Sequence, residues 1–272
     1  MLRVLIAALC LLAAPAGAQT KAPLEALKTP DQALPWQAVG RLDMRDGTCT
    51  GALIAPKLVL TAAHCVFDSD GNLREASSLI FRAGFRHGRA AATKRAKRIV
   101  VHPDYVDDGS ETSSMEAIAA DVAVIELVSP ILNAAVVPFD RHRQPPIDAR
   151  VVVVSYAKGR NDAASLEEGC QMFARYQNVL QYTCDVDFGA SGAPIFVITT
   201  AGPKIASIIS AMTERNGNRI ALGAPLGPAV DRLVRELQTT NVEPRFLASG
   251  SANRLPNIRK TSTRSGLPQI KR

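Results

Sequence analysis

Gly189-Ala190-Ser191-Gly192-Ala193-Pro194 is a turn of small residues with one hydroxyl at its centre, and a strand-like run, 195–198, lies behind it. A serine hydroxyl is a poor nucleophile at neutral pH, so a catalytic reading requires a base within hydrogen-bond reach and a carboxylate that orients the base. Gly189 supplies a second element. Glycine reaches backbone angles that aim successive N–H groups at one spot, where they can hold an oxyanion. Taken alone, such a turn occurs in many loops, and its meaning depends on whether other stretches answer to it.

Two do. Thr61-Ala62-Ala63-His64-Cys65 follows the apolar run 58–60 and puts a histidine in a small-residue turn directly after a strand. Asp121 opens the run Val122-Ala123-Val124-Ile125-Glu126-Leu127, a carboxylate at the mouth of another apolar strand. These stretches, together with Cys49-Thr50-Gly51-Ala52-Leu53-Ile54, resemble the chymotrypsin-like (trypsin-fold) serine proteases. The order His, Asp, Ser along the chain is that family's order and differs from those of subtilisin-like proteases and α/β-hydrolases. Pro35-Trp36-Gln37 and Val101-His102-Pro103-Asp104-Tyr105 add smaller matches, and the resemblance spans roughly residues 34–239. It implies catalytic roles for His64, Asp121 and Ser191, and an oxyanion hole made by the N–H groups of Gly189 and Ser191.

Residues 1–18 carry one basic residue, Arg3, an apolar run over 4–14 and Ala16-Gly17-Ala18 before Gln19. This reads as a secretory signal peptide with a small-x-small cleavage site. The expected location is therefore secreted or periplasmic, of bacterial type. Beyond Cys10 in the signal, four cysteines remain, Cys49, Cys65, Cys170 and Cys184, an even number suited to an oxidising compartment and open to three pairings. The family resemblance implies Cys49–Cys65, since the cysteine after the histidine is tied there to the preceding strand, and leaves Cys170–Cys184. The spacings lack a paired Cys-x-x-Cys, and His87, His102 and His142 are scattered singly, so no metal and no cofactor is expected.

The formal net charge is +7, but residues 241–272 hold seven Lys or Arg against the single acid Glu243. Basicity belongs to a tail rather than to a groove, and no nucleic-acid partner is expected. The tail, rich in Ser, Pro, Gly and Asn, is expected to be disordered. Its charge suits weak contact with anionic envelope surfaces; a solvated tail without a partner is the other reading.

Between signal and tail, short strands alternate with turns. Residues 36–42, 48–54, 58–61, 79–83, 98–101 and 122–127 fit one group of strands, and 151–156, 172–175, 179–184, 194–198, 205–211 and 219–222 a second. With no alternation of strand and helix, this predicts an all-β chain of two antiparallel six-stranded barrels. The expected divisions are an N-terminal segment 19–33, barrels over 34–135 and 136–225, a helix over 226–240 and the tail. Leu226, Val230, Leu233, Val234 and Leu237 mark one apolar helical face. The resemblance sets the site in the cleft between barrels, with His64 and Asp121 from the first and Ser191 from the second.

Departures from the family pattern are informative. Where many members carry an aspartate before the serine, to receive a newly freed N-terminus, this chain has Ala190, and no Ile-Val-Gly-Gly-like segment precedes Trp36. The turn must then be held by its own backbone bonds, by a Cys170–Cys184 staple and by packing of the strand 195–198, and chains starting anywhere from residue 19 to about 30 are expected to hydrolyse a good substrate comparably. The pattern is closest to secreted bacterial, glutamyl-endopeptidase-like members. Asp185 counts to the base of the specificity pocket, where a carboxylate would favour Lys or Arg; the other reading is an aspartate satisfied by backbone groups at a strand end. Ser210 and Met212 are expected to form a pocket wall. Retention of all three catalytic residues implies a serine endopeptidase acting on peptide or protein substrates through an acyl-enzyme. The alternative is a catalytically inactive trypsin-fold binding protein of the cell envelope.

Overall fold

The computed structural model describes residues 24–107, 113–143, 145–187, 189–239 and 270–271. The expected signal peptide and all of the basic tail except Ile270–Lys271 lie outside the described residues. The strands in chain order are β1 (Glu25–Ala26), β2 (Val39–Met44), β3 (Gly47–Ala55), β4 (Leu58–Thr61), β5 (Ile80–Ala83), β6 (Ala92–Val101), β7 (Ala123–Leu127), β8 (Arg150–Ser155), β9 (Ser165–Tyr176), β10 (Val179–Tyr182), β11 (Pro194–Thr199), β12 (Gly202–Arg215), β13 (Asn218–Pro225) and β14 (Ile270–Lys271). Three α-helices accompany them, α1 (Pro30–Ala33), α2 (Met115–Ala119) and α3 (Gly227–Thr239).

The first barrel closes in the order β2-β3-β4-β7-β6-β5. Its two most apolar strands, β4 and β7, are buried at every position and lie side by side, with Thr61 opposite Ala123 and Leu58 opposite Glu126. The second runs β9-β10-β13-β12-β11-β8 and closes through β8 on β9, all antiparallel. The expected architecture of two six-stranded barrels is the observed one. Strands β6 and β9 begin several residues before the predicted 98–101 and 172–175 because Thr93, Arg95, Glu168 and neighbouring polar residues occupy exposed or half-exposed positions of extended backbone, which an apolar-run criterion passes over.

Three findings differ from the sequence reading. Residues 115–119, assigned to no element by the sequence, form a short helix, started by Ser114, whose hydroxyl accepts the Ala117 N–H at 3.1 Å. The N-terminal segment is integrated, although it precedes the first barrel: β1 pairs with β9 of the second, the Leu27 N–H donates to the Ala164 carbonyl at 2.8 Å, and Leu27 is 2% exposed. Chains starting after Leu27 lack this pairing and this buried side chain. Finally, Ile270–Lys271, expected within a disordered tail, pair with β12.

Helix α3 buries Val230, Leu233 and Leu237 and packs on β6 and β7, so the last helix follows the second barrel yet braces the first. Arg98 of β6 joins the two. Its guanidinium pairs with Glu126 at 2.5 Å and donates to the Leu237 carbonyl at 2.6 Å, a cation at a helix C-terminus. Just before β2, Trp36 packs tilted on Phe196 and Phe139 meets Phe196 edge-on, with centroids 5.1 Å apart for Trp36–Phe196 and 4.7 Å for Phe139–Phe196. One buried cluster contains Leu60 and Val124 of the first barrel, Val154 and Ile208 of the second, and Leu233 of α3. The barrels thus share a core, which fixes the cleft between them.

Candidate active site

His64 and Asp121 stand at the same end of neighbouring antiparallel strands. Thr61, the last residue of β4, faces Ala123, the first of β7; His64 follows by three residues and Asp121 precedes by two. The turn that carries His64 is a single 3-10 turn, His64–Val66, tied down by the Cys49–Cys65 disulfide. Oδ2 of Asp121 lies 2.7 Å from His64 Nδ1, and Oδ1 accepts the His64 backbone N–H at 2.9 Å. An ionised carboxylate only accepts, so Nδ1 carries the proton and Nε2 is the free, basic nitrogen. Burial of Asp121, 2% exposed, pushes its carboxyl upward, but the His64 ring and the hydrogen bonds from His64 and Ser210 outweigh this and hold it below the usual carboxylate range.

Ser210 supplies that last bond. Its hydroxyl donates to Asp121 Oδ2 at 2.5 Å. The β12–β13 register slips between Ile209 and Ala211, leaving Ser210 as the extra residue of a bulge, and a bulge re-aims a side chain. Through this bulge the Ser210 hydroxyl supports the Asp121 carboxylate. Met212, two residues on, is half-buried and packs against the interior of the second barrel.

The Ser191 turn is held by backbone bonds. The Ala190 N–H donates to the Asp187 carbonyl at 3.0 Å, Ala193 N–H to Ala190 at 2.9 Å and Gly192 N–H to Ile209 of β12 at 2.8 Å. Ala190 itself is buried. Gly189, at φ +86°, has no room for a Cβ, which would lie 2.8 Å from the Tyr156 carbonyl oxygen. Gly192, at φ +73°, presses on the first barrel, where a Cβ would strike Thr61 Oγ1 and the Thr50 carbonyl. The amides of Gly189 and Ser191 have no hydrogen-bond partner among the described residues.

Thr50 joins these parts and gave no signal in the sequence beyond its place after Cys49. Its N–H donates to the Ser191 carbonyl at 2.9 Å, and its hydroxyl donates to the Gly189 carbonyl at 3.2 Å while accepting the Tyr156 N–H at 2.9 Å. Its carbonyl accepts the Thr61 hydroxyl at 2.8 Å. A single buried threonine of β3 thus ties the serine turn to the strand that leads to His64.

The Asp185 side chain is partnered by an arginine side chain. The backbone N–H of Asp185 donates to both carboxylate oxygens of buried Glu167, at 2.8 and 2.9 Å, and its own side chain, 45% exposed, pairs with Arg219 at 3.3 Å. Arg219 also lies 3.7 Å from Asp187. The carboxylate expected to await a basic substrate side chain is already engaged by a cation of β13. Cys170 and Cys184 are bonded, as are Cys49 and Cys65. The groupings of potential metal ligands among the described residues, Cys49-His64-Cys65 and Glu167-Cys170-Cys184, rest on these disulfide sulfurs, which have no thiolate to offer.

Residues 49–201, which include His64, Asp121 and Ser191, match the trypsin-like peptidase domain. Among curated proteins, the chain is 29% identical over 153 residues to trypsin Blo t 3 of Blomia tropicalis, covering 54% of this chain and 52% of the relative. It is 23% identical over 186 residues to a glutamyl endopeptidase of Bacillus licheniformis, covering 68% and 56% respectively. The chain spans about half the length of these curated relatives. Among solved structures it superposes on a Glu endopeptidase in complex with MPD with a TM-score of 0.64 at 18% identity, over 79% of this chain and 97% of that one. A thermostable serine protease, AL20, from an extremophilic microorganism gives 0.61 at 17% identity, over 76% and 100%.

Proposed function

The chain belongs to the trypsin-like peptidase family, and from that premise we propose that it is a secreted serine endopeptidase in which Ser191 is the nucleophile, His64 the general base and Asp121 the group that orients it. The observation that carries this reading is the buried Asp121 carboxylate, bonded to both the ring and the backbone of His64 and further fixed by Ser210. Such fixation selects the tautomer whose Nε2 can take the Ser191 hydroxyl proton as the oxygen attacks a peptide carbonyl. The oxyanion so formed accepts the unpartnered N–H groups of Gly189 and Ser191. His64 then returns the proton to the leaving amine, leaving an acyl-enzyme for water to cleave. Substrates are peptides or proteins, and secretion rests on the signal-like residues 1–18.

Treatment with a fluorophosphonate probe tests the assignment. Wild-type protein is expected to acquire one covalent label on Ser191 and to lose peptide hydrolysis in step, whereas Ser191→Ala takes up no label and stays folded. A folded wild-type chain that neither labels nor cleaves a peptide library would instead be a binding protein that kept the fold.

A further inference from the structure

One edge of β12 is shared by two visitors. Ile208 pairs with Pro194 of β11, and Ile209 exchanges backbone bonds with the Ser191 turn, accepting from Gly192 at 2.8 Å and donating to Ala193 at 2.9 Å. Ser210, next along, holds Asp121. Immediately beyond, Met212 and Thr213 face β13 on one side and, on the other, Lys271 and Ile270 of β14. At about 3.3 Å per residue, Met212 is only about 10 Å along the strand from the residue that anchors the serine turn. The space beside Ser210 and Ala211 is therefore closed at one end by the nucleophile's turn and at the other by the chain's own C-terminal segment.

The direction of β14 matters. It is antiparallel to β12, with Ile270 opposite Thr213 and Lys271 opposite Met212, so its N-to-C sense runs toward Ser210 and the Ser191 turn. A peptide that adds antiparallel to this edge runs in the same sense and carries its chain toward Ser191. Backbone pairing on a sheet edge is largely indifferent to side chains, which makes a tethered segment an effective competitor for any extended peptide.

We infer that Ile270–Lys271 form a self-inhibiting strand: they occupy the edge of β12 along which a peptide substrate is laid, and substrate must displace them. This rests on the peptidase reading for its consequence, but the docking itself does not. Replacing both residues in the full-length chain, Ile270→Pro with Lys271→Pro, removes two N–H donors and the extended pairing without touching the catalytic groups. KM for an extended peptide substrate is expected to fall fivefold or more at unchanged kcat, and a synthetic peptide of residues 264–272 should inhibit the double variant competitively. Hydrogen exchange of the Met212 and Thr213 amides gives a readout independent of turnover, and one of these amides is expected to lose protection in the double variant. Equal protection in both proteins would overturn the docking. Lost protection with unchanged KM would overturn the competition. Lost protection in a chain that neither labels nor cleaves would support the docked strand while removing the peptidase reading.

Discussion

The carbonyl of Ser191 accepts the backbone N–H of Thr50 at 2.9 Å, and Thr50 sits beside Cys49, whose disulfide partner Cys65 adjoins His64. Ser191 and His64 come from different barrels, yet only one hydrogen bond, two peptide bonds and one disulfide separate their backbones. Because effective catalysis depends on sub-ångström placement, this short connection lets a site be built across a barrel interface without depending on the whole interface for precision.

Thr50→Val keeps the shape of the side chain and removes the hydroxyl that serves both Gly189 and Tyr156. The buried Tyr156 N–H and the part-buried Gly189 carbonyl lose their partner, at a cost of about 2–4 kcal/mol. Thermal melting should show a clear drop in Tm, and kcat should fall as well, since the proposed oxyanion site borders the Gly189 peptide. Unchanged Tm and kcat would mean that the serine turn does not depend on Thr50.

Ser210→Ala removes a donor to an ionised, buried carboxylate. Loss of one such bond corresponds to about a ten- to hundredfold fall in kcat/KM. The Asp121 pKa is held down partly by this bond, so it rises in the variant, and the acid limb of the pH–rate profile should move to higher pH. A pH profile of unchanged shape, whatever the rate, would separate Ser210 from the carboxylate.

Asp231 on α3 is held below the usual carboxylate range by its hydrogen bond from Arg141, at 2.6 Å, with further attraction from Arg141 and Arg143 outweighing partial desolvation. A carboxyl whose folded pKa is depressed contributes stability that is present above its unfolded value, about 4, and is lost as pH falls through the folded value. Asp231→Asn should thus lower Tm at neutral pH, and the gap from wild type should close progressively below about pH 4. A gap that stays constant down to strong acid would show that the loss comes from packing rather than from charge.

Leu27→Ala is expected to lower stability by about 2–5 kcal/mol, because its buried side chain belongs to the shared core. Chains beginning after Leu27 should lose at least as much, together with the β1–β9 pairing. Urea unfolding of chains starting at residues 24 and 30 compares the two directly; coincident curves would show that the N-terminal segment is an appendage.

The sequence by itself determined the twelve barrel strands, their grouping into two barrels, the terminal helix face and the places of His64, Asp121 and Ser191 at the ends of apolar runs. Each of these is written locally, in apolar runs four to eight residues long, helical spacing, or a chemically loaded residue at the mouth of a run. What Ser210, Asp185 and Thr50 do was decided by tertiary structure. Ser210 and Asp121 are 89 residues apart, Asp185 and Arg219 34, and Thr50 and Gly189 139. A strand's period of two assigns a side chain to a face, but a single bulge, as between Ile209 and Ala211, turns it elsewhere, and which residues meet across two docked barrels follows from register and docking together. For the same reason the pairing of Ile270–Lys271 with β12 could not be read from a basic, strand-poor tail: its partner is a sheet edge that exists only once the second barrel has closed.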